Sequence, residues 1–309
     1  MILEGILPVL PTPFKDDGDV DLLAMKQTAQ FCIDAGASGL VFPGVASEYD
    51  HLSSWERLSL LREVCEVADG RIPVICGGGK GQPEEIGSNI KKAGELGVDT
   101  AMVLIPNQYA GDEAGALQFM LSVIELAPDV AIILQNAPTP IGAGLDSDVL
   151  ARIVNASPAI KYVKEETLPS GPRITAMKEA ASDHLIGVIG GGGARYVIDE
   201  LNRGAIAAMP AAEITDIHVK MWNAHKRGDV TEARNLYMRS LPLLVIQTIY
   251  RMRLTKYALT KRGVLSNSIV RAPLPEFDTF DEAELCTQLE SLSSCFDVAP
   301  LAPLAPVAI

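Results

Sequence analysis

Aromatic residues are scarce in this chain, at 5% of 309 positions with only two tryptophans. With 48% hydrophobic residues, the core must be large and packed by aliphatic side chains. Positive charge is also in short supply: 26 Lys and Arg face 39 Asp and Glu, a net charge of -13. That balance argues against nucleic acid and against anionic membrane surfaces as partners. The five cysteines (Cys32, Cys65, Cys76, Cys286, Cys295) are odd in number and widely spaced. No Cys-x-x-Cys pair and no Cys/His cluster occurs, so neither a disulfide frame nor a zinc site is indicated. Four histidines spread over the chain do not suggest an imidazole metal centre. Met1-Ile2-Leu3-Glu4 lacks the basic and long apolar segments of a signal peptide, and no apolar run reaches about eighteen residues. The chain reads as soluble, reduced and cytoplasmic.

What is present is a rhythm. Short apolar, β-branched runs at 6–10, 39–42, 72–76, 100–105, 131–135, 160–163, 185–189 and 205–209 alternate with amphipathic segments. Helical periodicity covers 22–35, 54–68, 83–96, 114–126, 147–155, 172–181 and 194–202. Capping signals such as Ser53-Ser54-Trp55-Glu56 open several of these segments, and Gly36, Gly70, Gly97 and Gly204 close others. Eight near-equal units predict a (β/α)8 TIM barrel over 1–212, with an open doubly wound sheet as the rival. Strands then stop. Segments 214–226, 229–240, 242–262 and 279–293 predict a C-terminal helical appendage packed on the barrel over 213–295. The Ala-Pro-Leu repeats of 296–309 predict an extended or disordered tail.

In such a barrel the carboxyl ends of the strands hold the active site. The sixth run ends in Lys164-Glu165-Glu166-Thr167. Desolvating an ammonium costs several kcal/mol unless it is paired or loses its proton, and a neutral lysine is a nucleophile that condenses with ketones. Alternation along a strand puts Lys164 and Glu166 on one side. The plainer alternative is a lysine at a strand end, its head in solvent and paired with Glu165 or Glu166. Charged residues are seldom fully buried, so this stretch alone favours the plainer reading. The turn Gly44–Ser47 offers the amides of Val45, Ala46 and Ser47, and the Ser47 hydroxyl, to a carboxylate. Taken alone it reads as a helix-capping loop. Gln135, beside Lys164, either holds a substrate hydroxyl or caps a loop. Met209, where the eighth run ends, is a further candidate substrate contact. Gln108 and Tyr109 lie on a loop that can reach this site or a neighbouring subunit's. Gly77–Gly79 and Gly190–Gly193 lack the frame of a phosphate loop and read as backbone that must pass close to something. His51, His184, His218 and His225 read as surface or structural.

Together, Pro8-x-x-Pro11-Thr12-Pro13-Phe14, the Gly44–Glu48 turn, Gln135-Asn136-Ala137-Pro138 and Lys164-Glu165 resemble the dihydrodipicolinate synthase / N-acetylneuraminate lyase superfamily, collinearly over about 3–293. The resemblance implies a (β/α)8 barrel with C-terminal helices and a homotetramer built as a dimer of dimers. It also implies that Lys164 forms a Schiff base with a 2-keto acid. Synthases and lyases of that family carry Gly-Thr-Thr-Gly-Glu where this chain has Gly44-Val45-Ala46-Ser47-Glu48. At the position of Gln135 they carry a tyrosine that relays protons, which an amide cannot do. The synthase's arginine is absent from Pro138-Thr139-Pro140-Ile141, so dihydrodipicolinate synthase activity is not expected. These departures resemble the L-2-keto-3-deoxyarabonate dehydratase branch, as do Lys164-Glu165-Glu166-Thr167, Leu254–Leu259 and Ala272–Pro275.

The chemistry so implied is imine formation at C2 of a 2-keto-3-deoxy sugar acid, followed by proton removal at C3 by Glu166 and loss of water. It requires neither a metal nor an organic cofactor. A pyruvate-releasing aldolase using the same Lys164 is the alternative enzyme, and a non-catalytic 2-keto-acid binding protein is the alternative of another class.

Overall fold

The computed structural model describes residues 2–299. The expectation for the tail therefore falls outside the described residues from position 300 onward. The chain divides into two compact units: Pro73–Met209 with the N-terminal residues up to Glu4, and Gly5–Ile72 with everything from Pro210.

The first unit contains β3 (Val74–Gly77), β4 (Thr100–Leu104), β5 (Ala131–Asn136), β6 (Ile160–Glu165), β7 (Gly187–Gly190) and β8 (Ala207–Ala208). Each pairs in parallel with its successor. Between them run α3 (Pro83–Gly94), α4 (Glu113–Leu126), α5 (Ser147–Asn155), α6 (Ser170–Ala180) and α7 (Val197–Asn202). Ile132, Ile133, Leu134, Tyr162 and Val163 are all buried. Near-continuous apolar strands of this kind are what a parallel sheet covered on both faces demands. Register then sets the site: Leu104 pairs with Gln135, Gln135 with Lys164, Lys164 with Ile189, and Ile189 with Ala207. Residues level with one another in a parallel ladder point to the same face, so one layer carries an amide and an amine between aliphatic neighbours.

The second unit holds β1 (Gly5–Ile6), α1 (Leu22–Asp34), β2 (Leu40–Val41) and α2 (Ser54–Ala68). It also contains α8 (Thr215–Lys226), α9 (Val230–Lys261) and α10 (Thr279–Leu292). Val9 makes parallel bridges to Val41 and Ala211. The strand β1 is short because Pro8, Pro11 and Pro13 cannot donate to a ladder. The predicted break between helices over 229–240 and 242–262 is corrected in position: α9 runs through Pro242 and is broken at Arg251 into two helical stretches. Proline lacks the N–H owed to the carbonyl of Met238, but Met238 is 66% exposed and water can serve that oxygen. Buried Leu236, Leu243, Leu244 and Leu254 hold both halves of the helix. Its departure from helical geometry is instead at Arg251, with φ 46° and ψ -119°.

Candidate active site

Lys164 is 4% exposed, so the reading of a lysine with its head in solvent does not hold. Its Nζ lies 2.9 Å from Oε1 of Glu166. The other carboxylate oxygen, Oε2, accepts a hydrogen bond of 2.9 Å from Nε2 of Gln135. Glu166 is thus gripped between an amine and an amide that share one register level. Burial by itself raises this carboxyl, but the charge and hydrogen bond of Lys164, the Gln135 amide and the Gly192 N–H outweigh it and hold Glu166 below the ordinary range. The Gln135 amide thus holds the first residue of the segment beyond β6 and orients its carboxylate. Beyond the strand, a Cβ built on Gly191 would meet Cγ of Glu166 at 2.2 Å. The glycine run after β7 exists here for close approach, as its sequence suggests.

Glu165 faces the opposite side of the sheet, as strand alternation requires. Asn136, its register partner, donates to both Glu165 oxygens at 3.1 and 3.0 Å and to the Leu145 carbonyl at 3.0 Å. The Leu145 N–H returns a bond to Oδ1 of Asn136. Thr167 N–H donates to Glu165 at 2.7 Å, and Nε of Arg173 on α6 lies 3.3 Å from it. Burial pushes the Glu165 carboxyl up, against the pull of Asn136, Arg173 and Thr167. Adjacent carboxylates at the end of β6 and just beyond it therefore have separate jobs: Glu166 belongs to the amine, while Glu165 fastens the loops.

Met209 directly follows β8, buried, with its N–H bonded to the Gly190 carbonyl at 3.0 Å. Gln108 and Asn107 line an open cavity of about 310 Å³ in the same unit, together with Leu104, Lys80 and Ile141. Tyr109 instead packs on Phe119, with ring centroids 5.3 Å apart.

Val45, Ala46 and Ser47 belong to the second unit and form a single 3-10 turn. The Ser47 hydroxyl gives its hydrogen to the Leu10 carbonyl at 2.5 Å and accepts from Gly44 N–H, and its own N–H bonds Gly44 O. It is therefore not free to donate to a carboxylate. The amides of Val45 and Ala46, at the start of the turn, have no partner within it. Glu48, which follows, is completely engaged. It pairs with Lys256 and accepts from the amides of Arg271 (2.7 Å) and Ala272 (2.8 Å). Burial brings Lys256 down to about 8, against the opposing charge and hydrogen bond of Glu48.

Glu200 was missed by the reading of the sequence. It is 1% exposed and accepts from Ser170 Oγ at 2.7 Å. The signal was helical phase: Glu200 lies three residues after buried Val197, on the same face of α7.

Residues 2–292 match the Dihydrodipicolinate synthetase family. Over 285 residues the chain is 30% identical to the L-2-keto-3-deoxyarabonate dehydratase of Azospirillum brasilense, covering 91% of this chain and 92% of that protein. It is 26% identical over 299 residues to the 4-hydroxy-tetrahydrodipicolinate synthase of Methanosphaerula palustris, covering 96% and 100%. The solved dihydrodipicolinate synthase of Rhodopseudomonas palustris superposes with a TM-score of 0.87 at 25% identity, over 94% of this chain and 98% of that one. Eight strands alternating with helices thus match a known TIM-barrel fold, and the chain belongs to the Dihydrodipicolinate synthetase family.

Proposed function

We propose that this protein is a Schiff-base-forming hydro-lyase that acts on a 2-keto-3-deoxy sugar acid, with L-2-keto-3-deoxyarabonate as the substrate and 2-oxoglutarate semialdehyde as the product. The observation that carries this reading is the buried Lys164–Glu166 pair with Gln135 on the second carboxylate oxygen. Glu166 takes a proton from Nζ, and the freed amine attacks C2. Glu166 gives that proton to the C2 oxygen of the carbinolamine, which leaves as water. The iminium that remains acidifies the protons on C3, and Glu166 is again a carboxylate. Glu166 removes one of these and returns it to the C4 hydroxyl, which departs as water. The conjugated iminium then isomerises so that the C5 carbinol becomes an aldehyde, and a water molecule releases Lys164.

Retro-aldol cleavage needs a base on the C4 hydroxyl, and an amide at position 135 supplies none. The likeness to a dehydratase of that substrate class supports the same choice. For Val45 and Ala46 the proposal rests on their motif and their open amides, which suit an anion. Ser47 would hold the turn in shape, and Met209 would wall the substrate at the end of β8. The homotetramer and the cytoplasmic location are parts of the same proposal, on the family likeness.

Incubation with L-2-keto-3-deoxyarabonate is expected to give an unsplit semialdehyde; release of pyruvate would instead establish the aldolase. Borohydride reduction in the presence of pyruvate is expected to add mass to the Lys164 peptide, and Lys164→Ala should lose both the adduct and nearly all turnover. A wild-type protein that forms no adduct would be a binding protein at most.

A further inference from the structure

Behind the pair lies a carboxyl group that the mechanism above does not use. Glu200 on α7 points to the helix-facing side of the sheet, and a Cβ built on Gly190 would meet its Oε2 at 2.1 Å. Ser170 Oγ, at the N-terminus of α6, donates to Oε1, whereas Oε2 has no hydrogen-bond partner among the described residues. Glu200 is therefore bonded to the start of α6, four residues beyond Glu166, and lies against Gly190 at the end of β7, two residues before Gly192. A fully buried carboxylate with one oxygen unpartnered is costly, whereas a carboxylic acid in the same place is not.

Resting on the reading of Lys164 as the imine-forming residue, we infer that Glu200 is a positioning residue that sets the charge felt by the Lys164–Glu166 pair. As a neutral acid it leaves the pair free to exchange its proton; as an anion it strengthens the ammonium form of Lys164 and slows imine formation.

The groups around it fit this role. Glu165 and Glu166 face it from β6 and the segment beyond, with Arg173 and Lys164 as their respective partners. Asp199 stands beside it on α7, held by Arg203 at 3.0 Å. Neither β7 nor β8 carries a charged or titratable residue. Burial pushes Glu200 up to about 7. The Ser170 hydrogen bond opposes this, and the charges of Glu166, Asp199 and Glu165 add to it.

The test is the pH dependence of pyruvate adduct formation, trapped with borohydride between pH 6 and 8.5, in wild type, Glu200→Gln and Ser170→Ala. The ratio of the Glu200→Gln rate to the wild-type rate is expected to rise about three- to tenfold across that range. Ser170→Ala removes a donor that favours the anion, so its inflection should move to higher pH, and it serves as the test should Glu200→Gln fold poorly. A ratio constant with pH, or an unmoved inflection in Ser170→Ala, overturns the inference. If wild type forms no adduct at any pH, the assignment of Lys164 fails and Glu200 is judged by thermal unfolding. A carboxyl raised by folding stabilises below its unfolded value near 4.5, and that stability is lost as pH rises through about 7. Such a loss should be present in wild type and absent in Glu200→Gln; equal profiles would remove Glu200 from the account.

Discussion

Glu166 has two side-chain donors at 2.9 Å, and its Cγ has room only because residue 191 carries no Cβ. Replacing Glu166 by Gln keeps the shape but removes proton transfer, so turnover on the sugar acid should fall about 10²–10⁴-fold, while pyruvate binding, measured by calorimetry, persists. Gly191→Ala puts a methyl group 2.2 Å from Cγ of Glu166 and forces the carboxylate off Gln135. Turnover should drop about 10²-fold with the melting temperature little changed, since the fault lies in the aim of one side chain. The common side of Lys164 and Glu166 was legible from alternation alone. That Ser47 spends its hydroxyl on Leu10 was not, because the acceptor lies 37 positions away and no local pattern signals it.

Strands β5 and β6 meet in a register that places Gln135 beside Lys164 and Asn136 beside Glu165. A slip of β6 by one position would turn Lys164 and Glu166 away from Gln135 and bring Glu165 to that face instead. Asn136 helps hold that register, through Glu165 and both backbone groups of Leu145. Truncation to Ala leaves the Leu145 N–H unserved and Glu165 short of a donor, while Arg173 still donates to the Leu145 carbonyl. Asn136→Ala should cost about 2–4 kcal/mol in urea denaturation, with activity falling in proportion to folded protein. Element existence was readable from apolar period and capping residues such as Ser53 and Glu56, which form a capping box at α2. The place where α9 breaks, at Arg251 rather than before Pro242, was not. Pro242 is a stop signal in any local reading, and only the leucines packed on either side carry the helix past it.

Acid stability is a property of the chain as a whole. His218 is buried, with neither ring nitrogen partnered among the described residues, and burial lowers it to about 4 against the charge of Asp216. A base depressed on folding must shed its proton to fold, so stability falls as pH drops from 6.5 toward 4. Relative to wild type, His218→Met should gain on the order of 3 kcal/mol between pH 7 and pH 4, read from melting curves at each pH. Glu56 adds to the acid loss at lower pH. The hydrogen bond from Arg271 lowers its carboxyl to about 2. The stability it contributes, present above 4.5, disappears as pH falls toward 2.

By itself the sequence determined the alternation of strands and helices, the place of the lysine at the end of the sixth strand, and the shared side of its carboxylate. Each of these follows from a period or a spacing within one element. Tertiary structure alone decided that Gln135 grips Glu166 and that Glu165 turns away to Asn136 and Arg173. It alone placed Glu200 beneath Gly190, with Ser170 as its donor. Those outcomes depend on register between strands and on which buried polar groups find one another across 29 to 31 residues, and such pairings are satisfied only in three dimensions.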